Sequence, residues 1–357
     1  MRFDNDSDGG FGAEVREAIR NYLVRNGEHR FADRWLYAKA ALLAALLLGA
    51  YAAILSGRLD GRGDLACALV AGVSALLLAI NVGHDAAHEC FTPWPRLDHA
   101  LQRISFTLLG VDSYLWRFRH AHSHHHFPNV NGCDIDIDRN PFFRLSPNQP
   151  GRPHFRWQHV YAPLVYCLVV LHTVLVQDFM YLYQRGIASL REIRHPWTAH
   201  VAFYLSKAAF VAIVFVLPWA ATSLTLAQVV AGYLAASAVL SLLFVFLLIG
   251  THFSDTAAFP SASADGVIGH SWAEHALITA QDWAPESRIA AFLTGGANCH
   301  AAHHLAPRLS HRHYRQIAPL IRSVADRHGV AGARTSFTGL VASHFRFLRL
   351  MADAPAG

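Results

Sequence analysis

Four runs of the chain are apolar, nearly free of charge and long enough to cross a bilayer: Tyr37–Leu55, Asp64–Gly83, Ala199–Ala220 and Leu226–Gly250. A helix needs about 20 such residues to span the hydrocarbon layer, and a soluble fold has no use for four of them. The charged share, 15%, lies below the roughly 25% of a soluble protein and agrees. The first pair is joined by the short link 56–63 and the second by 221–225, so each pair reads as an antiparallel membrane hairpin. The expected fold is an all-α integral membrane protein. It has four transmembrane helices, an interfacial or re-entrant helix, and a cytosolic helical cap built from the polar segments. Residues 1–36 read as a polar cytosolic arm, with a short helix around Ala13–Val24 and no cleavable signal peptide. Residues 37–357 read as one membrane domain.

Arginine sets the orientation. The arm, the segment 84–159 and the tail 251–357 are rich in it, whereas the 221–225 link has no charge. The positive-inside rule therefore places these three regions in the cytosol. The net charge of +5 is accounted for in the same way, and no basic block of the kind that binds nucleic acid occurs. The five cysteines are scattered, with no C-x-x-C pair to suggest a disulfide framework or a zinc site.

Residues 160–183 are apolar but contain His172, Gln177 and Asp178. A single crossing here would put 84–159 and 251–357 on opposite faces. The segment is therefore expected to dip into the membrane, or lie along it, and return. Pro163 near its beginning suits a helix start, where no N–H is needed.

Histidine is over-supplied, with 24 residues. His84 and His88 stand at i and i+4 at the end of the second run, on one helical face. In WRFRHAHSHHHFPN, His120 and His124 share a face, and His125 is turned by roughly 100°, so adjacent rings can reach different metals. In GGANCHAAHHLAP, the spacing of His300, His303 and His304 again gathers imidazoles on one helical turn. Gly295 and Gly296 allow close backbone approach there. His252 follows directly on the last run. One metal cannot use nine imidazoles, but two can, with positions left open for dioxygen. Imidazole suits zinc, copper, iron and nickel alike. A structural zinc takes four ligands, often cysteines, and fits poorly. Asp85, Glu89, Asp134, Asp136 and Asp138 are candidates to orient ligand rings through their second N–H.

These residues resemble the membrane-bound fatty acid desaturases, from about His84 to His328. That family carries three histidine boxes, H-x(3–4)-H, H-x(2–3)-HH and (H/Q)-x-x-HH, separated by membrane spans. Here they correspond to His84/His88, His120/His124/His125 and His300/His303/His304. Trp116, the FPN after the second box, the run Asp134–Asp138, the GGAN before the third box and HHLAPRLSHRHY across it look like the acyl-CoA and acyl-lipid branch. The resemblance implies two iron ions held by histidines alone, a further ligand after the last span (matched by His252), and a buried acyl tunnel. It implies oxygen-dependent desaturation of a fatty acyl chain, with dioxygen and two electrons consumed per double bond and water released. His122 and His126 are additional to the pattern and are expected behind the ligands or at the surface. Many relatives have Gln where His300 stands, so regioselectivity does not carry over. Several carry a fused cytochrome b5 domain with an HPGG motif. This sequence has no HPGG, so a separate electron donor, such as a ferredoxin or cytochrome b5, is expected. The implied partners are membrane lipids and a CoA-, acyl carrier protein- or lipid-linked acyl substrate. The expected setting is a bacterial inner membrane.

Hydroxylation, ketolation and acetylenic bond formation are rival reactions on the same scaffold. A metal transporter is a remote rival. Its sites would lie near mid-membrane on broken helices, whereas these clusters stand at the cytosolic ends of spans.

Overall fold

The computed structural model describes residues 1–4, 9–138 and 140–353, and it is almost wholly helical. A helix of the N-terminal arm, α1 (Phe11–Arg25), precedes the hairpin of α2 (Arg34–Leu55) and α3 (Gly61–Ala87). Both spans begin a few residues before the apolar runs because a carboxylate caps each start. Asp33 accepts from the Leu36 N–H, and Asp60 accepts from the Gly63 N–H. Next come α4 (Pro95–Thr107) and α5 (Ser113–Arg119), the latter capped by Asp112 through the Leu115 N–H. The pair α6 (Pro153–Tyr166) and α7 (Val169–Tyr183) follows, then the spans α8 (Trp197–Ala221) and α9 (Leu226–Thr251). At the start of α9, Thr225 and Gln228 close a reciprocal capping box.

The four spans are not equivalent. In α3 and α9, 39% of the apolar stretch is buried inside the protein, against 17% in α2 and α8. Thus α3 and α9 form the centre, while α2 and α8 face lipid. Their contact is close. A Cβ on Gly72 would meet Leu240 Cδ1 at 2.9 Å, and Leu76, Ile80, Ala236 and Leu240 cluster beside it. These two inner helices are the ones whose ends deliver histidines: His84 and His88 from α3, and His252 just after α9.

The bent pair α6 and α7 turns by 82° across the break at residues 167–168. Helix α6 starts ten residues before Pro163. Pro153 takes the first-turn position, and Pro163 lies inside the helix. A bend of this size marks a broken span or a re-entrant loop, not a plain straight crossing.

The cap consists of α10 (Trp272–Ile278), α11 (Arg288–Thr294), α12 (His300–Leu305), α13 (Tyr314–His328) and α14 (Phe337–Asp353). Its core joins Phe11 and Val15 of α1 to Leu277, Ala302, Tyr314, Ile317 and Ile321. The arm is therefore part of the cap. A two-residue parallel pairing of Arg2–Phe3 with Val267–Ile268 also ties the N-terminus to it.

The topology predicts the accessibility of the two ends of the bent pair. Single cysteines introduced near residues 156 and 187 should label from the same, cytosolic, side of sealed vesicles. Labelling from opposite sides would break the shared topology.

Candidate metal centre

The histidine runs arrive on elements whose backbone departs from the regular α-helix. Residues Ala79–Gly83 of α3 form a π turn directly before His84, and a second covers His120–His124 at the end of α5. Such wide turns shift the side-chain phase by an extra residue and recur at functional sites. In the second run the His125 N–H bonds to the His120 carbonyl, an i+5 bond of 3.0 Å. The expected i, i+4 face of His120 and His124 is consequently replaced. It is His120 and His125 whose Nε2 atoms meet, at 3.0 Å. The His120 and His124 rings stack 5.7 Å apart and belong to different groups.

Two groups of four imidazoles result. His84, His88, His120 and His303 bring one nitrogen each within 4.8 Å of the others, and so do His124, His252, His300 and His304. His125 closes a third group with His303 and His304, one member of each set, and so stands between them. All nine expected histidines meet in this one region. The second and third runs are both divided between the two groups.

Tautomers decide what the groups can hold. A carbonyl only accepts, so His252 Nδ1 donates to the Thr279 carbonyl at 2.9 Å, and His300 Nδ1 donates to that of Ala297 at 3.1 Å. In the neutral ring each Nε2 is then a lone pair, yet the two lie 2.7 Å apart, with His304 Nε2 2.9 Å from the first. Lone pairs converge in this way only around a cation. Protonation does not resolve the conflict. Burial pushes His88 and His300 down to about 3, and pushes His120, His125, His252, His303 and His304 well below the ordinary imidazole value. At neutral pH these rings are in the form that ligates metals. Nε2 of His88 and of His303 lacks a hydrogen-bond partner among the described residues. The donor set thus fits two metal ions held by imidazole alone.

The carboxylates divide. Both oxygens of fully buried Asp134 lie 3.2 Å from His124 Nδ1, and Asp136 Oδ2 lies 3.4 Å from it. Burial would lower His124, but these two carboxylates override it and raise the ring to about 9, so a metal arriving here displaces a proton. The Asp138 N–H bonds to the Asp134 carbonyl and closes the turn. Asp85 turns away from the rings. Its Oδ2 accepts from the Ser310 hydroxyl at 2.8 Å and lies 3.0 Å from His311 Nδ1, tying the end of α3 to the loop after the third run. Glu89 follows the end of the helix in a left-handed conformation (φ 56°) and meets His99 at the exposed surface. His122 and His126 are exposed. One stacks on Phe118, and the other bonds to the Ala121 carbonyl.

Other supports were not foreseen. The Asn129 side chain donates to the carbonyls of His252, Ala258 and Thr279, while its N–H donates to Asp134, so this one residue knots the second run to His252. Its position in the FPN turn was the available signal. Half-buried Asp282 accepts from the Ala301 N–H at 3.0 Å and caps α12 from a neighbouring strand. The Tyr314 hydroxyl stands 3.3 Å from His303 Nδ1, and the Trp116 ring stacks on His120. Gly295 and Gly296 do permit close approach. Both have positive φ, and a Cβ on Gly295 would lie 2.7 Å from the Ile80 carbonyl oxygen.

Comparison with known proteins gives one family. The pattern described as "Fatty acid desaturase" matches residues 64–334. The chain is 27% identical to the sn-1 linoleoyl-lipid 6-desaturase of Arthrospira platensis, over 97% of this chain and 94% of that protein. It is 25% identical to the enzyme of the same name in a Synechocystis strain, over 97% and 96%. An acyl-lipid (8-3)-desaturase of Physcomitrium patens is 27% identical over 79% of this chain and 59% of its own.

Two substitutions separate ligands from bystanders. His304→Ala should abolish activity while the protein still inserts, since the spans are untouched, whereas His122→Ala should keep most of it. Equal and complete loss in both would contradict the grouping. Asp134→Asn should weaken metal binding by about ten- to a hundredfold in an equilibrium titration, because it removes the charge that orients His124.

Proposed function

The chain belongs to the fatty acid desaturase family, and we propose that it uses two iron ions and dioxygen to place a double bond in a lipid-linked acyl chain. The observation that carries this reading is the meeting of nine imidazoles, from three separated runs and the end of α9, in two four-nitrogen groups bridged by His125. In this reading His84, His88, His120 and His303 would hold one iron, His124, His252, His300 and His304 would hold the other, and His125, beside His303 and His304, would add a ligand to one of them. When bound, the irons and dioxygen supply the oxidising power that an unactivated C–H bond demands and no side chain provides. The chain's own residues then have three tasks.

They aim the rings, through the carbonyls of Thr279 and Ala297 and the carboxylate of Asp134, while burial keeps His252 and His300 neutral. They exclude water, since six of the nine rings are buried. They also bring the membrane to the site. Because α3 and α9 end at the two histidine groups, an acyl chain lying among the spans would meet the centre at their ends. The relatives whose names specify acyl-lipid and linoleoyl-lipid substrates support a lipid-linked acyl group over a soluble thioester. The arginine-rich segments support a cytosolic site and a separate electron donor meeting it there.

Expression in a bacterial host should yield new unsaturated acyl chains in membrane lipids, identified by gas chromatography and mass spectrometry of derivatised products. Hydroxylated, keto or acetylenic products with no new alkene would replace desaturation by another reaction on the same centre.

A further inference from the structure

The chain has only two lysines, Lys39 and Lys207, and both lie within spans. Lys207, in α8, has 12% of its side chain exposed. An ionisable group at such a place is costly and calls for named partners. Its ammonium has three acceptors: Asp178 Oδ2 at 2.8 Å, the Val174 carbonyl at 2.9 Å and the Gly110 carbonyl at 2.6 Å. Val174 belongs to a π turn of α7, Thr173–Gln177. The same Asp178 oxygen accepts from the Asp112 backbone N–H at 2.8 Å. Asp112 in turn caps α5, which runs without interruption into His120–His124. One ammonium thereby joins a lipid-facing span, the second arm of the bent pair, and the turn from which the second histidine run starts.

Cohesion alone does not call for a charge here, because a well-packed apolar pair holds helices as firmly as a buried ion pair does. A convergent set of hydrogen bonds adds register. A slide of α5 by one residue, about 1.5 Å, would break it. Register matters at this place because His120, His124 and His125 are shared between both imidazole groups. We infer that Lys207 and Asp178 are positioning residues of the metal centre, fixing α5 along its axis and thereby the spacing of the two metal positions. The inference rests on the metal-centre reading given under Proposed function.

The test is titration of the metal-free, full-length protein with Co(II), followed by its visible ligand-field bands, with thermal stability measured in parallel. Asp178→Asn keeps the oxygen acceptor and the shape but loses the charge. It should bind Co(II) about tenfold more weakly, with altered bands. The double variant K207M/D178M replaces the pair by apolar side chains. It should regain thermal stability without regaining the wild-type bands. Wild-type affinity and bands in either folded variant would overturn the positioning role. Failure of both variants to fold would assign the pair to the fold alone and overturn it too. The wild-type protein separates the two failures. If it binds no Co(II), the metal-centre reading itself is wrong. If it binds and the variants match it, only this inference is lost.

Discussion

Two imidazole nitrogens with their lone pairs turned on each other at 2.7 Å, His252 Nε2 and His300 Nε2, are the contact to which the rest of the architecture answers. Neither ring can turn away, because each is held by an Nδ1–H bonded to a backbone carbonyl. Neither can take a proton at neutral pH, because both are buried. Without a cation, such a site would also leave the buried Nε2 atoms of His88 and His303 unpartnered among the described residues, at about 1–3 kcal/mol each. A bound metal ion reverses the sign of every one of these terms. The centre is therefore a place where metal binding and folding are coupled.

Much of the remaining structure delivers these rings and holds them. The two most buried spans end at histidines of the two groups, and the cap closes over them with α12, whose start is capped by Asp282. The π turns are the means of delivery. At His120–His124 the wide turn sends His120 and His124 to different groups, whereas a regular helix would set this i, i+4 pair on one face. Within the membrane, carbonyls of such turns are taken up by side chains. Val174 is bonded by Lys207, and the Ile213 carbonyl accepts from the Tyr51 hydroxyl at 2.5 Å. Irregular backbone is tolerable at that depth only on those terms.

The spans were legible because lipid imposes a simple rule on sequence, and the structure moves their ends only by a few capped residues. The bent pair was legible from a different clue, since His172, Gln177 and Asp178 sit where a plain span would carry apolar side chains. The identity of the nine histidines could also be read, from spacing and order. Their distribution could not. An i, i+4 argument assumes an α-helix, and the spacing of the histidines does not reveal the π turns. Asp85 and Glu89 stand next to histidines in sequence and suggested partners for them. The helix end at His88 instead sends one to Ser310 and His311 and the other to the surface. The Lys207 node was invisible for a related reason, as Gly110 lies far in sequence from Val174 and Asp178 of α7 and meets them only through tertiary packing.

The central claim is that these imidazoles hold two irons. Its most direct measurement is the metal content of protein purified from iron-replete cells without chelator, read by elemental analysis together with Mössbauer spectroscopy of 57Fe-grown material. The account predicts close to two irons per chain in nitrogen-rich, sulfur-free coordination. A reproducible single zinc with no iron would contradict it.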